Sequence, residues 1–460
     1  MHLEADYLIV GGGAAGMAFA DTLLTESNAQ IIIVDRNHSP GGHWNHSYPF
    51  VRLHQPSTFY GVASTSLGNG ATDLTGLNAG LSELANGHEI CGYYQRVLHH
   101  TFLPSGRVQY LANCEYGRNG TIYAKLTGET HTSSINRKIV YSSYTFGTVP
   151  ETHQRKFAVC GDVCCVTPKG LASLRGCASN YVVMGSGKTG VDVCLWLLEQ
   201  GVHSERITWI MPRDAWLFDR RAFQPGSEHY EFRLRRGILD NEAIIGAKGI
   251  EDLLDRLAAA GSLLQLDPDI RPTAFKCATV TLAELERLRT IRNVIRHSYV
   301  VEIKSGSIVL SGGELSTPPD AVYVDCTASA IAAVPSVPIF SEKSITVQGV
   351  RACQPTFSAA FIAHLEANLE DEALKNRLCS PVPYPKDAYD WVTMTLNSGV
   401  NQFLWMQHEG IRNWLRGCRL DINAAFAQPT AITEMEPLNA RFRDTAGAAL
   451  AKLRQLSLLR

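Results

Sequence analysis

The sequence predicts an α/β protein with two Rossmann-like dinucleotide-binding domains, and three observations lead to that prediction. Two segments, Asp6–Asp35 and Tyr181–Pro212, read as strand, glycine turn, helix and strand, with glycines at the spacing G-x-G-x-x-G. The second strand of each segment ends beside a residue that can recognise the ribose of a dinucleotide: Asp35 suits free ribose hydroxyls, and Arg213 suits a 2′-phosphate. A strand-like exit segment follows each motif, first at Ser142–Pro150 and then at Ala321–Ala328.

The first motif predicts a site for FAD. Its first glycine permits a tight turn, its second admits a pyrophosphate to the backbone, and its third lets the helix pack on the strand. The free N–H groups of the following helix favour phosphate. Asp35 ends the second strand about 20 residues on, where a carboxylate accepts hydrogen bonds from ribose hydroxyls. The expected contacts are Gly11, Gly13, Ala15, Gly16, Asp35 and Arg36.

The second motif predicts a site for NADPH. The strand Ile207–Met211 ends in Pro212-Arg213, where the first motif has an acid. An acid binds a ribose 2′-hydroxyl, whereas an arginine accommodates a 2′-phosphate. Lys188 adds positive charge within the loop. The expected contacts are Gly185, Ser186, Gly187, Lys188, Thr189, Gly190 and Arg213.

Length and composition limit the class of protein. The chain has 460 residues, of which 45% are hydrophobic, which suits an enzyme of two or three domains. A net charge of −2 gives no reason to expect nucleic acid or a membrane surface as partner. The first strand begins almost at the N-terminus, so we expect no signal peptide and a cytoplasmic protein. The twelve cysteines are then expected to be reduced thiols.

The predicted organisation has three parts. Residues 1–150 form the first part of the FAD domain, and residues 151–335 form the NADPH domain. A helical insertion is expected at about 214–300, with helices at Ile250–Ala260 and Leu282–Arg296. Residues 336–460 return to the FAD domain and end in a helical cover. The sequence does not indicate an oligomeric state.

Further elements are predicted from periodicity and turn residues. We expect a helix over 79–103, and a helix Thr356–Leu369 capped by Thr356 or Ser358. A β-meander is expected between them, with an Asn119-Gly120 turn joining its first two strands. Its strands are Val108–Leu111, Thr121–Leu126 and Lys138–Tyr141.

The segment after Asp35 resembles a known flavoprotein family. Gly41, Gly42 and Trp44 match the G-G-x-W of class B flavoprotein monooxygenases, the group of flavin-containing and Baeyer–Villiger monooxygenases. Tyr48-Pro49 and Arg52 are similar to the Y-P-G-x-R of that family. The resemblance implies that Gly42, Trp44 and Arg52 lie near the flavin. It also implies an NADPH-dependent monooxygenase that oxygenates a small organic substrate with molecular oxygen, through a flavin C4a-(hydro)peroxide.

Two features leave other functions open. The family fingerprint F-x-G-x-x-x-H is expected before the second glycine motif, and Phe157–Gly161 does not supply it. The catalytic residues are therefore unknown, with Arg52 and His54 as candidates. His54 stands where family members often have an acid, and a histidine titrates near neutrality. The alternatives are an NADPH-dependent flavin dehydrogenase or reductase without oxygen insertion, and a flavoprotein that binds FAD structurally or as a redox sensor without turnover.

One cysteine pair suggests a disulfide reductase but stands in the wrong place. Cys160 and Cys165 have the spacing C-x-x-x-x-C. In disulfide reductases that resemble glutathione reductase, such a pair follows the first glycine motif, whereas here it precedes the second. We therefore expect unpaired thiols at these positions. Trp391, Trp405 and Trp414 are expected in the core or, alternatively, in the wall of a substrate pocket.

Overall fold

The computed structural model describes residues 2–117, 120–424 and 435–459. In chain order, its strands are β1 (His2–Val10), β2 (Ile31–Val34), β3 (Val108–Leu111), β4 (Cys114–Tyr116), β5 (Thr121–Ala124), β6 (Thr130–Tyr141), β7 (Ala158–Val159), β8 (Cys165–Val166), β9 (Tyr181–Met184), β10 (Ile207–Met211), β11 (Ala215–Asp219), β12 (Leu263–Leu264), β13 (Ala274–Val280), β14 (Val294–Arg296), β15 (Val300–Lys304), β16 (Ser307–Leu310), β17 (Gly313–Ser316), β18 (Val322–Asp325) and β19 (Ser344–Thr346).

The α-helices surround these strands and become more frequent towards the C-terminus. They are α1 (Ala14–Glu26), α2 (Gly87–Val97), α3 (Pro168–Leu171), α4 (Lys188–Glu199), α5 (Tyr230–Gly246), α6 (Ile250–Ala259), α7 (Leu282–Leu288), α8 (Pro355–Asn368), α9 (Glu372–Leu378), α10 (Ala388–Trp405), α11 (Glu409–Gly417) and α12 (Glu436–Ser457). No helix in the described ranges is long and apolar enough to cross a membrane.

The first glycine motif lies in the larger sheet. Its strand order is β3-β2-β1-β6-β5-β4, and β19 also pairs with β6. The pairs β1–β2, β2–β3 and β1–β6 are parallel, as in a Rossmann unit. Helices α1 and α8 contribute to one buried core on this sheet. Because β2 and the Tyr7–Ile9 part of β1 are apolar and buried, their carboxyl ends are held at the edge where the glycine loop begins.

The second glycine motif lies in a separate parallel sheet. The order is β14-β10-β9-β18-β8, and each neighbouring pair is parallel. Strands β9, β10 and β18 are buried along their whole length, which explains their continuous apolar sequences. The predicted class, α/β with two Rossmann-like units, is therefore confirmed. The predicted domain boundaries stay predictions, because sheets alone do not fix them.

The β-meander differs from its prediction. Val108–Leu111 pairs in parallel with β2 and extends the Rossmann sheet, whereas the hairpin partner of β5 is Cys114–Tyr116. Asn119 lies outside the described residues, and Gly120 has the positive φ of +80° that a tight turn requires. The helix predicted over 79–103 begins only at Gly87. A capping box of Asn86 and Glu89 fixes this start.

The insertion is not purely helical. Strands β12, β11 and β13 form a small sheet beside helices α5 and α6, where helices alone were predicted. The predicted helix Leu282–Arg296 is wrong beyond Leu288, because Val294–Arg296 pairs with β10 at the edge of the second sheet. Tertiary strand pairing has overridden local helix propensity there. The predicted helix at 250–260 is confirmed, and β15 and β16 form an antiparallel hairpin after the insertion.

The C-terminal region is helical, as predicted, and it packs on the insertion. Helices α10 and α12 share an apolar core with α6. Helix α8 begins at Pro355, with Gln354 at its N-cap and no side-chain capping bond. The predicted caps Thr356 and Ser358 are therefore wrong, because proline at the first helical position already starts the helix.

Candidate functional site

The first glycine loop joins β1 to α1 and has the shape of a phosphate cradle. Gly11 has φ +106°, which side-chain-bearing residues rarely adopt. A Cβ atom at Gly16 would lie 1.9 Å from the carbonyl oxygen of Gly11, so only glycine allows α1 to approach the strand. Gly13 caps α1 without a side-chain bond, which leaves the first-turn N–H groups, beginning at Ala14 and Ala15, free of a side-chain partner. This arrangement fits a pyrophosphate.

Asp35 lies at the end of β2, beside the glycine loop. Its carboxylate accepts hydrogen bonds from the N–H groups of Gly12, at 2.5 Å, and Asn37, at 2.7 Å. Burial raises the pKa of Asp35, against the lowering effect of these two bonds. Tyr110 lies against the same carboxylate and Gly12. The neighbouring Arg36 is exposed.

The G-G-x-W segment packs on the first glycine loop. The N–H of Gly41 donates to the carbonyl of Gly12 at 2.8 Å, and a Cβ at Gly42 would lie 2.9 Å from the Cα of Gly13. Trp44 is buried, and its indole N–H donates to the Tyr60 hydroxyl at 2.7 Å. The structure thus places Gly42 against Gly13 of the first motif, while Trp44 contacts Tyr60, and their predicted position near a flavin stays a prediction.

The second glycine loop repeats the geometry of the first. Gly185 has φ +126°, and a Cβ at Gly190 would lie 2.2 Å from the Gly185 carbonyl oxygen. Gly187 caps α4 without a side-chain bond. Thr189 follows in the first turn of α4, near the Tyr48 hydroxyl. This loop also fits a pyrophosphate at a helix N-terminus.

Two cations stand beside this second loop, and the sequence indicated only one of them. Arg213 follows β10 and is exposed, with no ion-pair partner among the described residues. Lys276, on β13, places its Nζ 3.2 Å from the hydroxyl of Ser186. Desolvation and the nearby charge of Arg213 lower the pKa of Lys276. Two neighbouring like charges without an acid between them suit an anionic ligand.

Lys188 pairs with an acid of its own helix, and its predicted role at the phosphates stays a prediction. Its ammonium pairs with Asp192, one turn along α4, and also donates to the Arg52 carbonyl at 3.4 Å. Burial raises the pKa of Asp192, against the opposing effect of the Lys188 charge, and Asp192 also accepts a 2.6 Å bond from Tyr48. Lys188 therefore neutralises a buried acid as well as lying at the loop.

The segment Tyr48–His54 connects the two nucleotide units. Phe50 stacks on Trp196 of α4, with ring centroids 4.5 Å apart. The guanidinium of Arg52 is half exposed and lies 3.7 Å from Asp73. The structure therefore places Arg52 between the two units, in contact with the second motif through its backbone.

His54 is partly buried, and its surroundings favour the neutral imidazole. Its Nδ1 accepts a hydrogen bond from the Thr279 N–H at 3.2 Å, so its proton is on Nε2. Burial, with the charges of Lys188 and Arg220, lowers its pKa to about 3. The expectation that His54 titrates near neutrality is therefore wrong, because a charged imidazole would be both desolvated and repelled.

The N-terminus of α8 is another helix end without a side-chain capping bond. Gln354, its N-cap, is buried, and its Oε1 has no hydrogen-bond partner in the parts of the chain that the structure describes. Buried amide oxygens are seldom left without a donor. The orphaned acceptor and the uncapped helix end fit the N–H and carbonyl edge of a flavin ring.

A cavity of about 280 Å³ lies between the insertion and the C-terminal helices. Phe218, Phe223, Trp391 and Phe442 supply aromatic walls, with Asp240 among the polar lining groups. Trp405 is fully buried, and the indole of Trp414 donates to Glu26. The alternative of a pocket role therefore fits Trp391, while Trp405 packs in the core.

The cysteines are mostly free, with one exception. Cys160 and Cys165 are unpaired, as expected, and the Cys160 thiol lies 3.0 Å from Glu302. Cys277 and Cys353 form a disulfide, so the expectation of twelve reduced thiols is wrong. Cysteines distant in sequence meet here because β13 packs against the segment before α8.

Comparison with known proteins adds a domain match and some structural neighbours. Residues 9–61 match the family described as NAD(P)-binding Rossmann-like domain, which covers the first glycine loop. A structure of cyclohexanone monooxygenase bound to ε-caprolactone aligns with a TM-score of 0.49 and 12% identity, covering 83% of this chain and 93% of that one. The bacillithiol disulfide reductase of Staphylococcus aureus aligns with a TM-score of 0.46 and 12% identity, covering 80% and 100%. Similarity at this level carries no information on the reaction.

Relatives that match nearly the whole of this chain are found in mycobacteria. The uncharacterized protein Rv2000 of Mycobacterium tuberculosis is 45% identical over 457 residues, which cover 98% of this chain and 84% of that protein. The uncharacterized protein Mb2023 of Mycobacterium bovis has the same identity and coverage. The chain belongs to the protein family that contains these two mycobacterial proteins.

Proposed function

We propose that this protein is a flavin-dependent oxidoreductase that takes hydride from NADPH, and that it is a monooxygenase acting on a small organic molecule. One observation carries the proposal. Two glycine cradles, each at an uncapped helix N-terminus on its own parallel sheet, are joined by the segment 48–54. One protein with two dinucleotide sites in contact suits electron transfer between two cofactors.

The chemistry of the side chains supports FAD in the first cradle and NADPH in the second. Asp35 offers a carboxylate to ribose hydroxyls at the first, beside Gly11, Gly13 and Gly16. Arg213 and Lys276 offer positive charge to a 2′-phosphate at the second. FAD would supply hydride acceptance and, once reduced, the activation of oxygen.

Side chains between the two cradles are proposed to orient the bound molecules and to exclude water from them. Tyr48, Lys188 and Asp192 form a buried hydrogen-bonded set that holds the second helix against the first unit. His54 stays neutral and keeps its Nε2–H as a donor, since its Nδ1 is occupied by Thr279. At this position, a neutral donor polarises a bound oxygen atom without adding a charge to the site.

The organic substrate is proposed to bind in the cavity of about 280 Å³. Its lining strand β11 pairs with β13, which carries Lys276 and Thr279. An apolar cavity of this size holds a small ring compound, and its few polar groups would orient one polar substituent.

A reductase without oxygen insertion is the second candidate. The observation in its favour is the missing monooxygenase fingerprint: Phe157–Gly161 contributes the edge strand β7, paired with β15, instead of the expected histidine-bearing segment. Such an enzyme would share both cofactor sites and differ only in how the reduced flavin is reoxidised.

The experiment begins with the purified protein, released cofactor and NADPH. We expect a yellow protein that releases FAD on denaturation and whose flavin is bleached anaerobically by NADPH. Oxygen is then admitted with candidate ketones, sulfides and amines, and oxygenated product is counted against NADPH consumed. Equal amounts support the monooxygenase; NADPH consumption with only hydrogen peroxide as product supports the reductase. A colourless protein, or a flavin that NADPH does not bleach, contradicts the proposal.

A further inference from the structure

The disulfide Cys277–Cys353 connects two functional parts of the molecule. It is the only disulfide in the described residues; its Cα atoms are 6.3 Å apart, and its cysteines are 76 residues apart in sequence. The other ten cysteines are free. Both members of the pair are only partly buried, so the bond is not sealed in a core.

Both cysteines have unusual backbone conformations. Cys277 has φ +52° and Cys353 has φ +55°, and non-glycine residues with positive φ number four in the described ranges. L-residues rarely adopt such angles, and those that do concentrate at functional sites. Two of these four residues are therefore the two cysteines of the disulfide.

A strand irregularity presents Cys277. The register of β11 and β13 shifts between the pairs Trp216–Phe275 and Phe218–Thr279, so residues 276–278 bulge from the strand. Bulges redirect side chains and are common beside active sites. This bulge turns Lys276 towards Ser186 of the second glycine loop.

The segments that carry the two cysteines also carry residues of the two proposed cofactor sites. Lys276, next to Cys277, contacts the second glycine loop, and Thr279 of the same strand contacts His54. Cys353 directly precedes Gln354, the N-cap of α8, whose orphaned Oε1 fits a flavin. The disulfide thus ties the strand assigned to the NADPH site to the residue before the flavin helix, and both cysteines pack against the apolar core of α6, α10 and α12.

We propose that Cys277 and Cys353 form a second redox centre, which accepts two electrons from NADPH. The proposal rests on the proposed function, which supplies the reductant. In the net step, NADPH gives a hydride and becomes NADP⁺, and one proton is taken from water. The S–S bond breaks, and each sulfur becomes a thiol. The protein then stores four electrons, two in the flavin and two in the dithiol.

An anaerobic titration tests this inference by counting electrons and thiols. We expect wild type to consume about two NADPH per flavin, and its titratable thiols to rise from ten to twelve when the protein is denatured under argon. Cys277→Ser and Cys353→Ser are each expected to consume about one NADPH per flavin. The matched control Cys160→Ser, which removes an exposed free thiol, keeps the consumption of about two.

Several outcomes overturn the inference and leave the proposed function standing. One is complete flavin reduction by one NADPH with the thiol count unchanged at ten. Another is a protein that shows all twelve thiols as purified in air. In a parallel arm, the flavin is reduced with light and EDTA in place of NADPH. If light and EDTA reduce the flavin but NADPH does not, the NADPH assignment is wrong. The thiol count after photoreduction then shows whether the cysteine pair accepts electrons.

Discussion

Neutralising Lys276 tests how the second site recognises its coenzyme. We expect Lys276→Met to weaken NADPH binding and to leave NADH binding nearly unchanged, because NADH lacks the 2′-phosphate. The Lys276 ammonium lies 3.2 Å from Ser186, and Arg213 is close enough to lower its pKa. The proposed function assigns both cations to the same 2′-phosphate.

The magnitude follows from the loss of one charged contact. A hydrogen bond to a charged group contributes about 1.5–3 kcal/mol, and about 1.4 kcal/mol corresponds to a tenfold change in Kd. We therefore expect Kd for NADPH to rise roughly 10- to 100-fold in Lys276→Met or Arg213→Ala, and by at least roughly 100-fold in the double variant. Because the two cations share one anion, the single effects should not simply add.

Fluorescence titration with NADPH and NADH measures both constants. The matched control is Lys304→Met, since Lys304 also lies on a strand but pairs with Glu302 at 3.0 Å, away from the glycine loops. The lowered pKa of Lys276 adds a pH test: wild-type NADPH affinity should fall as alkaline pH removes its proton, and Lys276→Met should lose that dependence. Equal losses for both coenzymes, or a wild type that prefers NADH, would refute the reasoning.

Other substitutions test the remaining parts of the site. Gly13→Val should yield folded, colourless protein, because a Cβ there already meets Gly42 at 3.4 Å in the cradle; retention of full FAD would place the cofactor elsewhere. Gly187→Val should keep FAD and lose reduction by NADPH, and loss of flavin instead would contradict the division between sites. Replacing Cys160 and Cys165 with serine should leave flavin reduction unchanged, as judged by stopped-flow bleaching. His54 has a pKa lowered to about 3, so its contribution to stability is present above about pH 6.5 and is lost as the pH falls towards 3. His54→Gln should flatten the acid side of the stability curve measured by urea unfolding, and an unchanged curve would show that the imidazole is not held neutral.

The cofactor loops were predictable because their information is local. The glycine spacing, the strands around it and Asp35 lie within one short segment, and steric limits on the glycines leave few other structures. The G-G-x-W segment was likewise recognisable from the resemblance, and Gly42 lies against Gly13 of the first loop.

Lys276 and the disulfide were not predictable, because their positions depend on distant pairings. Lys276 is 90 residues from Ser186 and reaches it only through the bulge in β13. The sequence around it carries no motif, and the surrounding segment was predicted to be helical. The wrong extension of α7 has the same cause, since pairing with β10 made a strand of residues whose own pattern favoured a helix.

The β13 strand connects the two predicted sites physically. Its bulge brings Lys276 to the second glycine loop, and its end brings Thr279 to His54 of the segment that begins beside the first loop. The pKa of His54 is lowered, so the imidazole is neutral, and its Nδ1 accepts the hydrogen bond from the Thr279 N–H. The contact between β13 and His54 is therefore a hydrogen bond between neutral groups. Lys276 at the second glycine loop and Thr279 at His54 are thus held three residues apart on one strand.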